Sequence, residues 1–230
     1  MIIDQVSDAQ EIEQRTFMTK VYGWMTLGLT ISAFCAYFVA NNESLANAII
    51  GNRLIFYGLL IAELVAVIAF VGLLKRISAM QALMLFLTYS VLTGLTLSVI
   101  FFVYTIASIM TVFLMTACMF GAMSIYGYTT KQDLTTVGNL CLMGLIGLII
   151  ASVINLFLHN DMTTLVLSWV GVLIFVGLTA YDTQKIKKMN IIGNAGTDED
   201  RKEAISGALT LYLDFINLFL NLLRIFGKTR

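Results

Sequence analysis

Apolar residues gather in seven long runs, parted by short polar breaks, over 21–39, 54–74, 80–102, 105–126, 137–158, 163–184 and 204–225. Roughly 20 apolar residues in helical form cross a bilayer's hydrocarbon core. Each run approaches that length, so the pattern predicts seven membrane-spanning helices. The third and fourth are nearly fused, with only the stretch from Tyr104 to Ser108 between them, which demands a tight turn. The longest polar break, KIKKMNIIGNAGTDEDRKE over 185–203, separates the sixth run from the seventh. The expected organisation is a polar N-terminal segment over 1–20 and one transmembrane domain over 21–226. The fold class is therefore an all-α membrane protein, a seven-transmembrane-helix bundle.

Composition supports lipid as the main solvent. Hydrophobic residues make up 59% of the chain and charged residues only 12%, against about a quarter charged in ordinary soluble domains. Net charge is zero, so no basic field points to nucleic acid. The first twenty residues, MIIDQVSDAQEIEQRTFMTK, carry acids and do not read as a cleavable leader. Cys35, Cys118 and Cys141 sit within apolar runs without metal-ligand spacing and read as small hydrophobes.

Basic residues in short loops favour the cytoplasm. With the N-terminus inside, the inner segments hold Arg15, Lys20, Lys75, Arg76, Lys131, Lys185, Lys187, Lys188, Arg201 and Lys202. The outer segments then hold only Arg53, Arg224, Lys228 and Arg230. The comparison favours a cytoplasmic N-terminus. Seven spans put the basic C-terminal tail outside, against the trend. A re-entrant seventh segment would remove that conflict, but the run is long enough for a full span. No proline occurs, so any bending falls to glycine. Gly144, Gly147 and Ala151 in the fifth run are expected to permit close helix packing.

Three of the fourteen acids lie within the apolar runs: Glu63, Asp182 and Asp214. An ionisable side chain at bilayer depth is costly and normally marks a pathway or proton site. Asp214 belongs to a stripe of Ser206, Thr210, Asp214, Asn217, Asn221 and Arg224. These steps of three and four keep one narrow helical arc at about 100° per residue. A polar stripe on an apolar helix faces the bundle interior or a watery cavity, either as glue between helices or as a functional lining. Asp182 is either a boundary acid paired with Lys185 or Lys188, or, if its helix runs on to about Asn190, a buried carboxylate at a depth comparable with Asp214. Carboxylates meeting in a poorly solvated site share a proton and carry the oxygens that Ca²⁺ prefers. Glu63 reads as a second cation stop or a neutral hydrogen-bonding acid. Asn217 and Asn221 are candidate pathway linings, and His159 reads as a surface residue.

Six segments, in order, carry a resemblance: FMTKVYGWMTLGL, YSVLTGLTLS, FGAMSIYGYTTKQDL, LIGLIIASVIN, GLTAYDTQKIK and LYLDFINLFLNLLRI. Together they span nearly the whole chain, which resembles the Bax inhibitor (transmembrane Bax inhibitor motif) family, its short bacterial branch above all. The resemblance implies a seven-helix fold with helix seven central and a pH-sensitive Ca²⁺ leak. It implies that Asp182 and Asp214 are the paired, hydrogen-bonded gating aspartates and a tentative calcium contact. It also implies a basic latch on Asp182 from the end of helix two, where Lys75 and Arg76 stand. The expected setting is a bacterial inner membrane. The expected partners are lipid, Ca²⁺ as transported ion and, in a second reading, another membrane complex. In that second reading the handle is the tail bearing Asp4, Asp8, Glu11 and Glu13.

Neither enzyme activity nor a cofactor is expected. An intramembrane aspartyl protease is disfavoured, because Leu-Tyr-Leu precedes Asp214 in place of a glycine motif and no proline motif can follow. A retinal protein would need a lysine deep in the last helix, and a rhomboid-type protease would need a core histidine.

Overall fold

The computed structural model describes the backbone of residues 2–230 and the side chains of residues 10–230. Asp4 and Asp8, named above as part of a handle, have side chains outside the described residues. The chain is an all-α membrane bundle. Its elements are α1 (Ile2–Ala40), α2 (Glu43–Ile49), α3 (Arg53–Leu73), α4 (Ala79–Leu97), α5 (Ile100–Val103), α6 (Ile106–Thr129), α7 (Thr135–Leu158), α8 (Asp161–Met189) and α9 (Asp198–Phe226). Among the described residues, seven helical spans are long and apolar enough to cross a membrane: Gln10–Ala40, Arg53–Leu73, Ala79–Val103, Ile106–Thr129, Thr135–Leu158, Asp161–Met189 and Asp198–Phe226. The last is the most buried of them.

The helices extend past the apolar runs for identifiable reasons. The segment preceding residue 21 continues the first span as one helix from Ile2, because its Glu, Gln and Ala residues favour helix without being apolar. At the other end, α8 carries Lys187 and Lys188 in its last turn, and α9 opens on Asp198, Glu199 and Asp200. Both arrangements suit the helix dipole and narrow the non-helical link to residues 190–197. Helix α9 is unbroken over 29 residues, about 43 Å at 1.5 Å per residue, which excludes a re-entrant hairpin. Helix α2 lies within the first extramembrane break. It starts where the Asn42 side chain accepts a hydrogen bond from Leu45 N, an N-cap.

The chain folds as two compact units: residues through Val103 with Met189–Tyr212, and Tyr104–Lys188 with Leu213–Arg230. In the first, the hydroxyl of Tyr212 meets Ser32 Oγ at 2.6 Å, while the rings of Phe86 and Tyr89 stand edge-on to it, each 5.8 Å away. Helices α4 and α9 are tied at their starts, where Asp198 accepts from Ala79 N at 3.1 Å. Lys20 pairs with Asp200 at 2.6 Å, and Asp200 also accepts from Gly196 N. Glu13 accepts from Gly193 N at 2.9 Å.

In the second unit, Phe215 packs edge-on to Phe113 and Phe120, both at 5.4 Å. Gln184 of α8 braces the link between α6 and α7, accepting from Leu134 N at 2.9 Å and donating to the Gln132 carbonyl at 2.8 Å. Asp133 caps the start of α7, accepting from both the backbone N–H and the hydroxyl of Thr135. Those bonds, with Lys188 close by, hold its carboxyl below the usual carboxylate range. The C-terminal tail is anchored within this unit, with Lys228 accepting from Thr105 N and donating to Ser108 Oγ. The glycines of α7 divide. Gly144 approaches Ile174 of α8, but nothing lies within 4 Å of the position a side chain would take at Gly147. The packing role expected for Gly147 is therefore not found. Close approaches to α8 are made instead by Gly138 of α7 against the Tyr181 ring and by Gly127 of α6 against the Ala180 backbone.

Candidate functional site

The second unit brings Asp182 and Asp214 together. Helix α8 runs seven residues beyond Asp182, about 10 Å, so the carboxylate lies well inside the helix end. Asp182 is 9% exposed and Asp214 5%, and their carboxyl groups are within hydrogen-bonding reach of each other. Asp214 Oδ2 has no donor among the described residues. A bond between two carboxyl groups needs a proton on one of them, since carboxylates only accept.

Burial excludes the reading of Asp182 as an exposed boundary acid. Lys185, one turn along α8, adds positive potential at Asp182, yet its ammonium lies 5.7 Å from the Tyr181 ring centre and forms no ion pair with Asp182 among the described residues. Lys188 pairs instead with Asp133 at 3.5 Å. Lys187 donates to the Tyr128 carbonyl at 2.9 Å and lies over that residue's ring. Cys141 of α7 is the other titratable neighbour that feels Asp182. Among the described residues, then, neither Lys185 nor Lys188 forms an ion pair with Asp182.

The stripe on α9 leads outward from Asp214. Asn217 and Asn221 line a cavity of about 590 Å³ whose walls come from α7, α8 and α9. Each amide donates back to a carbonyl one turn earlier, to Leu213 O and Asn217 O. Asn221 can lie where it does because α8 presents Gly171 to it; a side chain there would overlap the amide. That seating has no signature in either helix alone. Arg224 reaches the same cavity and is exposed. His159, exposed at the cavity rim, ends α7 in the left-handed conformation at φ 49°, its N–H bonded to Asn155 O.

The other candidates lie in the first unit. Glu63 accepts from Thr96 Oγ1 at 2.6 Å and is half-buried. Lys75 and Arg76 stand exposed in the turn after α3. No group of three or more His, Cys, Asp or Glu side chains converges among the described residues. Two carboxylates supply too few of the roughly six to eight oxygens that Ca²⁺ takes.

The chain matches the family model described as "Inhibitor of apoptosis-promoting Bax1" over residues 14–230. The chain belongs to the Bax inhibitor family. Among relatives in this family, "Inner membrane protein YbhL" of Escherichia coli K12 is 52% identical over 217 residues, covering 94% of this chain and 93% of that protein. A protein of Borreliella burgdorferi is 45% identical over 230 residues, covering 100% and 99%. A membrane protein of Streptococcus pyogenes serotype M6 is 40% identical over 214 residues, covering 92% of each. Both aspartate-bearing helices fall inside the region that defines this Bax inhibitor family member.

Proposed function

We propose that this protein is a pH-sensitive cation leak of a bacterial inner membrane, with Ca²⁺ as the permeant ion and the Asp182–Asp214 pair as the gate. The observation that carries this reading is that the two carboxyl groups lie within reach of each other in a buried site, where Asp214 Oδ2 has no donor among the described residues. With one proton between them they are joined by a hydrogen bond. Once it is lost they are two like charges in a low dielectric, and the contact becomes repulsive. One proton thus decides whether α8 and the second half of α9 are held or pushed apart. No catalytic step is needed. The inner-membrane setting rests on the name of the E. coli relative, and the cytoplasmic N-terminus rests on the basic residues. The reading as a docking protein gains no support from Glu13, whose carboxylate is already engaged by Gly193 N.

The sign follows from the chemistry. The contact is present on the acid side of the pair's transition and lost on the alkaline side. An asparagine at either position keeps a donor at every pH. Calcium flux into dye-loaded proteoliposomes, measured across pH, should therefore follow a transition in the wild type. Asp182→Asn and Asp214→Asn should each give flat profiles at the wild-type acid-side level. Both variants keeping the wild-type profile would refute the gate.

A further inference from the structure

The cavity beside the gate has a chemistry that the leak does not use. Its α9 wall is polar: Asn217, Asn221 and Arg224 at spacings of four and three. Its α7 wall is mostly apolar, with Leu148, Val153 and Leu156 beside Ser152 and Asn155, and Val153 and Leu156 are exposed toward the surrounding medium. At the rim Asp161, the first residue of α8, supplies a carboxylate.

Three polar groups of the lining lack partners. Asn221 is 7% exposed, and its amide donates to Asn217 O while its side-chain oxygen receives no donor among the described residues. Asn155, another lining residue, has a buried side-chain oxygen without a partner. Arg224 forms no ion pair among the described residues. In a bilayer such groups must be met by water or by a polar ligand.

The depth of the rim selects among ligands. Trp169 packs on Phe226 with ring centres 5.7 Å apart, and exposed tryptophans settle at the headgroup level. Arg224 is two residues from Phe226, about 3 Å along the helix axis, which places its Cα near the level of that aromatic pair. Asn217 is seven residues further in, about 10 Å, where a lipid's glycerol and ester groups lie.

We propose that this cavity is a binding site for one membrane phospholipid with a zwitterionic, amine-bearing headgroup. The phosphate takes the fork of Arg224, and the ammonium takes Asp161. The ester carbonyls accept from the second N–H of the Asn221 and Asn217 amides, the Asn221 and Asn155 side-chain oxygens are met by water, and an acyl chain leaves along Val153 and Leu156. The site does not depend on the leak reading, because its test reads lipid rather than flux.

The test uses the full-length protein, purified in a phosphate-free detergent, delipidated and titrated with phosphatidylethanolamine or phosphatidylglycerol while native mass spectrometry counts bound lipid. The wild type should hold one phosphatidylethanolamine. Arg224→Gln should weaken retention about tenfold or more, the loss of about 1.4 kcal/mol. Asp161→Asn should remove the preference for phosphatidylethanolamine over phosphatidylglycerol. Ser152→Trp, which fills the cavity from α7 without touching a charge, should also expel the lipid and keeps the test decisive if Arg224→Gln does not fold. Inorganic phosphate at millimolar concentration should not compete. Equal retention by wild type and Ser152→Trp, displacement by inorganic phosphate, or a cavity that holds only water would each overturn the proposal.

Discussion

Gly127→Val is expected to destabilise the second unit by about 1–3 kcal/mol, the usual cost of forcing extra volume into a packed interior. A side chain at Gly127 would meet the carbonyl oxygen, carbonyl carbon and Cα of Ala180. These are backbone atoms and cannot rotate away as a side chain can, so α6 and α8 must separate. Ala180 lies two residues before Asp182, and the displaced helix therefore carries the gate with it. Gly147→Val is the matched control. It makes the same change of residue within a helix where nothing among the described residues lies within 4 Å of the new Cβ, and Val forms helix better than Gly. Thermal melts in detergent should show a lower midpoint for Gly127→Val and none of that loss for Gly147→Val. The pH transition in Ca²⁺ flux should flatten only in the first. Equal midpoints for the two variants would mean that the approach of α6 to α8 contributes nothing.

That contrast also shows where sequence reading stops. Hydropathy located all seven spans, since each must cross the same apolar thickness. It misjudged their ends wherever polar residues continue a helix, as at Lys187 and Lys188 or at Asp198 to Asp200. The periodic polar arc on α9 correctly placed Asn217 and Asn221 on a shared cavity, because an arc is a property of one helix. The neighbours of that arc are a property of two. Gly171 beneath Asn221 and Gly127 against Ala180 depend on the register between helices far apart in the chain. Gly147 also lies within an apolar helical run, yet nothing among the described residues lies within 4 Å of where its Cβ would be. The Asp182–Asp214 contact lay between these cases. Each acid stood out alone as a charge inside an apolar run, but their meeting was expected chiefly from the family resemblance. Glu63 shows the opposite limit, because its partner Thr96 comes from another helix and no spacing pointed to it.

The second large effect is expected at Tyr212, which is fully buried in the first unit. In a bilayer the medium is as apolar as the ring, so removing the ring gives up contacts rather than hydrophobic transfer energy. Tyr212→Ala should therefore fall near the low end of the usual cost for deleting a buried aromatic, about 3 kcal/mol. The loss comes mainly from the two edge-on contacts with Phe86 and Tyr89. Tyr212→Phe separates the ring from its hydroxyl. Ser32 has one proton, and its oxygen lies 2.6 Å from Ser90 O and 3.0 Å from Gly28 O. That proton is committed to the backbone, so Tyr212 is the donor in the Ser32 bond. Removing it leaves no orphaned donor behind, and the cost should be about 1 kcal/mol, that of one ordinary hydrogen bond. Denaturation of the folded protein in detergent, read by loss of helical signal, should order the three proteins as wild type, Tyr212→Phe and Tyr212→Ala, with the larger step second. If the Phe variant were as unstable as the Ala variant, the hydroxyl and not the ring would hold α1, α4 and the first half of α9 together, and the first unit would be organised around a polar contact.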